Sequence, residues 1–192
     1  MLPLVAGLVV FIGVHSVRIV ADGWRSAAIA RLGEGAWKGL YSLASAVGLA
    51  LIVWGYGMTR ADGVFLWAPP LWTRHVTTLL TIPAFILIAA AYVPRNHIKA
   101  ALGHPMLLGV KTWALAHLLS NGRLGDVVLF GAFLAWAVAD FASARRRDRA
   151  AGTRYPAGTL AGDAGTLAAG LAAWAAFAVY LHAWLIGVRP FG

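Results

Sequence analysis

The sequence predicts an all-α fold: a polytopic membrane bundle of about six transmembrane helices, forming a single domain over residues 1–192. Three observations carry this. Hydrophobic residues make up 60% of the chain and charged residues 12%, with a mean hydropathy of +0.74, whereas soluble proteins carry roughly 25% charged residues. The apolar residues gather into six segments, about 2–21, 36–57, 75–93, 105–120, 124–142 and 164–187. The sixteen Lys and Arg lie mostly between those segments, the pattern of a chain that must satisfy its backbone in lipid. A net charge of +9 spread in this way argues against a nucleic-acid partner. The absence of cysteine excludes disulfides, iron–sulfur ligation and thiol catalysis.

The first segment has no basic residue before its apolar run, and Arg25, Arg31 and Lys38 follow it, so it reads as a retained helix rather than a leader. His15, Arg18 and Asp22 share one of its faces at spacing i, i+3, i+7. The second segment ends before FLWAPPLW, residues 65–72, whose aromatics suit a headgroup layer and whose paired prolines stop a helix. His75 opens the third segment. The fourth, within GHPMLLGVKTWALAHLLSNG (103–122), is the shortest and carries Lys111. There Met106, Val110, Trp113, His117 and Asn121 share a face, while His104 points roughly 140° away at ~100° per residue. His104-Pro105 marks a helix start. SNGRLGD turns the chain back, so segments four and five form an antiparallel hairpin. Asp140 ends the fifth, at the level of Arg18, and a pair between them is expected because intramembrane charges need partners. The stretch 147–165 reads as a mobile loop without chemistry. In the last segment Gly165, Ala169, Ala173 and Ala176 form a stripe of small residues suited to close helix approach.

Ten basic residues fall in loops on one side and four on the other. This predicts a multi-pass protein of a bacterial inner membrane with both termini periplasmic. His75, His97 and His182 are assigned no ligand role. His15, His104 and His117 remain as imidazoles in an apolar bundle, and imidazole ligates haem and metals alike. Depth separates them. At 1.5 Å per residue His15 lies ~20 Å and His117 ~6 Å below the outer side, so depth alone pairs His15 with His104.

The ordered set FIGVHSVRI (11–19), ADGVFLW (61–67), His104-Pro105 with Trp113 and AHLLSNG (116–122), and AWAVADF (135–141) resembles the NnrU family over nearly the whole chain. These are bacterial membrane proteins associated with denitrification and with expression of nitrite and nitric oxide reductases. The plant 15-cis-zeta-carotene isomerase, a haem b membrane enzyme, resembles them. The resemblance implies haem b, with iron ligands at His15 (followed by Ser16) and His117 (preceded by Ala116), and His104 as the alternate. Arg18, Trp113, Asn121 and Asp140 complete the expected cofactor site: Trp113 against the porphyrin, Asn121 orienting His117, and Arg18 and Asp140 touching each other or a propionate. Gly103, Met106, Thr59 and Ala114 stand where the isomerase has Arg, Gln, His and Cys, so the correspondence covers the ligands better than the isomerisation site. The His-Pro pair also resembles isoprenylcysteine-type methyltransferases, in fold only.

Three functions follow: a haem b protein serving denitrification or nitric oxide handling; a haem-dependent isomerase of a polyene lipid; or a cofactor-free scaffold. The expected partners are the lipid bilayer and a hydrophobic small molecule or nitric oxide.

Overall fold

The computed structural model describes residues 1–61 and 63–191; Asp62 of the ADGVFLW stretch lies outside them. The order is α1 (Leu2–Val20), α2 (Asp22–Leu32), α3 (Glu34–Ala61), α4 (Trp72–Tyr92), α5 (His97–Leu102), α6 (Pro105–Ser120), α7 (Leu124–Ala151), α8 (Leu160–Ala176), a π-helical turn (Phe177–Leu181) and α9 (His182–Ile186). Among the described residues, five helical stretches are long and apolar enough to cross a membrane: α1, α3, α4, α7 and the run Leu160–Ile186. The protein is a multi-pass helical membrane bundle. The sixth predicted segment is α6, whose 16 residues reach only ~24 Å at 1.5 Å each, short of the ~30 Å core. It is sheltered between α4 and α7, against which it packs.

Local sequence explains the ends. Pro3 and Pro105 occupy first-turn positions of α1 and α6, where a missing N–H costs nothing. Thr159 caps α8 by accepting from the Gly162 N–H at 3.1 Å. The backbone of Ala21 departs from helix at φ −144°, so Asp22 begins α2 rather than continuing the face of His15 and Arg18.

The helices meet through missing side chains. A Cβ on Gly55 would lie 2.2 Å from the Leu4 nitrogen, and one on Gly7 2.6 Å from the Ile52 nitrogen, so α1 and α3 touch backbone to backbone. On α8 the buried face is Gly162, Thr166 and Gly170, not the expected stripe: Ala169, Ala173 and Ala176 are exposed. The stripe expectation is corrected by Ile86 of α4, which seats on Gly170.

Two ends can be distinguished. At the terminal end Leu4 meets Gly55, the Arg60 guanidinium reaches the Ile186 carbonyl and Arg123 reaches the Arg60 carbonyl. The loop after α3 lies on the turn before α7, with the Leu66 N–H donating to the Gly122 carbonyl (2.8 Å) and the Leu124 N–H to the Val64 carbonyl (2.8 Å). The other, basic end holds α2, α5 and residues 152–159.

Candidate functional site

Among the described residues, two cavities of almost equal size open into the bundle, one toward each end. The terminal-end cavity measures about 640 Å³ and opens beside a smaller one of about 230 Å³. Its apolar body includes Ile52, Trp113, Leu129, Phe130 and Phe133, and its rim carries Arg60, Arg74 and Arg123. His117 and His182 line both the main and the smaller space.

His117 is held by three contacts. Its Nδ1 lies 2.8 Å from the Trp113 carbonyl oxygen, and its ring stacks on Phe130 with centroids 4.7 Å apart and lies 5.2 Å from Trp113. A carbonyl only accepts, so Nδ1 carries the proton and Nε2 keeps its lone pair. This is the tautomer a ligating imidazole needs. Asn121 does not orient the ring as expected. Its Nδ2 donates to the His117 carbonyl at 2.8 Å, an oxygen that also accepts the Asn121 backbone N–H at 3.0 Å. Trp113 does pack beside His117 and lines the cavity.

Beneath the rim, the Tyr56 hydroxyl donates to Asp126 at 2.8 Å. The other carboxylate oxygen accepts the Arg123 N–H at 3.0 Å. Asp126 is 4% exposed, so these bonds offset a desolvation that would otherwise be costly. Asp126, in the first turn of α7, thus accepts the N–H of the residue before the helix, as the acidic half of a capping box does.

The basic-end cavity measures about 600 Å³ and is lined by His15, Arg18, Lys99, His104, Trp136, Asp140 and Arg147, among others. His15 is also Nδ1-bonded, to the Phe11 carbonyl at 2.7 Å, and packs against Phe11, Tyr41 and Trp136. The Trp136 Nε1 is buried and has no hydrogen-bond partner among the described residues. His104 differs. Its Nε2 donates to Asp148 at 2.8 Å, with the Tyr155 hydroxyl 3.2 Å away and itself donating to Asp148 at 2.9 Å. That leaves only Nδ1, beside the residue's own backbone. The stretch 147–165, expected to lack chemistry, supplies this clamp. The same contact explains Tyr155, whose hydroxyl pKa is pushed up to about 12, first by burial and then by its bond to Asp148.

The expected site is therefore divided. His117, Trp113 and Asn121 stand at the terminal-end cavity; His15, Arg18, His104 and Asp140 stand at the basic-end one. His15 and His117 are not brought together. Phe11, Phe133 and Trp113 stand in a chain between them, with successive centroids 4.2, 5.8, 5.7 and 5.2 Å apart. Arg18 and Asp140 line one cavity but do not pair. Arg18 Nε sits 4.0 Å from Asp22 and Asp140 sits 3.7 Å from Arg147; each took a partner one or two turns away in its own chain segment. Lys111, unexplained by sequence, rests its ammonium 3.9 Å from the centre of the Phe141 ring, a cation–π contact that eases its burial.

Among known proteins, the NnrU protein family model matches residues 3–190. No match is found among curated proteins or solved structures.

Proposed function

This chain belongs to the NnrU family, and we propose that it is a haem b-binding protein of the membrane whose terminal-end cavity holds the haem, with His117 as an iron ligand. One observation carries the reading: the His117 imidazole lines a cavity of about 640 Å³ with its Nδ1 proton already committed to a carbonyl. Nε2 is left as a base with an apolar, aromatic surround. The rest of the lining suits the same guest. Phe130, Phe133 and Trp113 offer faces and edges to a flat ring system. Arg60, Arg74 and Arg123 place three cations at the rim against one carboxylate, Asp126, and guanidinium groups bind carboxylates in a fixed fork. Haem b there would supply a redox-active iron. On this reading the protein serves denitrification by sensing or handling nitric oxide on behalf of the nitrite and nitric oxide reductases. The terminal end then faces the periplasm of a bacterial inner membrane, as the ten-to-four distribution of basic loop residues supports.

A second reading has its own observation. Leu49, Val53 and Leu185 line the cavity between α3 and α9 and are 49%, 59% and 53% exposed. The wall between α3 and α9 is thus open toward lipid, and a polyene could enter sideways. This favours a haem-dependent cis–trans isomerase of a lipid-soluble polyene.

The test of the first reading is an absorbance spectrum, oxidised and reduced, of the protein purified in detergent after expression with excess haem. A Soret band is expected, and a colourless protein refutes it. Loss of nitrite and nitric oxide reductase activity on deleting the gene, restored by the wild-type chain and not by His117→Ala, tests the link to denitrification. Turnover of a cis-polyene by the haem-loaded protein would decide for the second reading.

A further inference from the structure

We propose that His182 supplies the second imidazole of the site that His117 begins, so that α6 and the C-terminal helix would together hold the haem. This rests on the haem reading of the terminal-end cavity. Four observations support it.

His182 lines both the main cavity and the smaller one beside it, as His117 does. Its Nδ1 lies 2.7 Å from the Val188 carbonyl, so the proton is again on Nδ1 and the lone pair on Nε2. It reaches that position through the π turn Phe177–Leu181. In an unbroken α-helix the residue that follows Phe177 on the same face is Leu181, four positions on. The wider π turn places His182 there instead, its ring 5.8 Å from Phe177 and perpendicular to it, while Leu181 is 40% exposed. Single π turns are uncommon inside helices and cluster at functional sites. Finally, Gly187 adopts φ 72°, a left-handed turn that glycine enters at little cost. This turn brings the Val188 carbonyl back to His182. A histidine merely resting at the membrane surface would need neither the π turn nor the folded-back tail.

The experiment uses the full chain in detergent, expressed with excess haem, and reads absorbance and electron paramagnetic resonance of the ferric form. The wild type is expected to be six-coordinate and low-spin. His182→Ala should keep haem but lose the low-spin signal in favour of a high-spin one, and added imidazole should restore it. His182→Gln, which keeps the side-chain volume, should behave alike, with circular dichroism confirming the helices. His15→Ala should leave the low-spin signal intact. A low-spin spectrum that survives both His182 variants overturns the proposal while leaving the haem reading in place. So does loss of that signal in His15→Ala, or a wild type that is already high-spin. A wild type without haem overturns both.

Discussion

The two cavities differ by only about 40 Å³, at 640 and 600 Å³, and each is lined by two histidines, yet they are chemically unlike. At the terminal end both imidazoles, His117 and His182, give their Nδ1 protons to carbonyls and keep Nε2 free. At the basic end only His15 does so. His104 spends its Nε2 on Asp148 and Tyr155 and serves as a clamp joining the start of α6 to the end of α7. The arginines differ too. Arg18 and Arg147 of the basic end are paired with Asp22 and Asp140. Arg60 and Arg123 at the terminal end reach carbonyl groups, which leaves their charge uncancelled by those contacts. The lesson is that neither the volume of a cavity nor its number of histidines nominates a binding site. The nitrogen left over after the internal hydrogen bonds are made does so.

The comparison can be broken most forcefully by filling each cavity in turn. Val53→Trp should occupy the terminal-end cavity and reduce haem content to background, measured by pyridine haemochrome against protein. Met106→Trp should fill the basic-end cavity and leave haem content unchanged. Equal loss in both variants would erase the distinction. Next in size is Tyr56→Phe, which removes a donor from buried Asp126. Bonds to charged groups contribute about 1.5–3 kcal/mol, and the loss should appear both in thermal unfolding and as weaker haem retention. His104→Ala should lower the melting temperature by about 2–4 °C and leave the haem spectrum untouched, because the clamp is structural. The same clamp has a pH signature. Tyr155 is protonated in the clamp, with its pKa pushed up to about 12 from an ordinary 10.0. Its contribution is complete below pH 10 and vanishes as the pH passes about 12, and the high-pH loss of melting temperature should be smaller in Tyr155→Phe. The smallest effect is expected of Lys111→Met, which trades a cation–π contact of about 0.5–1 kcal/mol for an apolar side chain in the same place.

Much of the bundle is legible in the sequence. Hydropathy and turn residues located α1, α3, α4, α7 and the last helix, because lipid leaves a long apolar run few alternatives. α2 and α5 were missed: DGWRSAAIARL and HIKAAL are too short and too polar to register as apolar segments. Depth arithmetic at 1.5 Å per residue correctly set His15 and His117 far apart along the bundle, and the family pattern that paired them spoke only of residue types in order. Arg18 and Asp140 shared a depth, but depth does not choose partners, and Asp22 and Arg147 were nearer in the chain. His182 sits near the outer end of the last apolar segment and is assigned no ligand role from sequence; one π turn changes which side chain faces inward. No periodicity in FAVYLHAW announces that turn.

Haem is expected to enter the terminal-end cavity at His117. The most direct measurement is haem titration of the detergent-purified apo-protein, followed at the Soret band, for the wild type, His117→Ala and His15→Ala in parallel. Saturable, near-stoichiometric binding is expected of the wild type and of His15→Ala, and none of His117→Ala. Binding that survives in His117→Ala and disappears in His15→Ala would contradict it and move the site to the basic end.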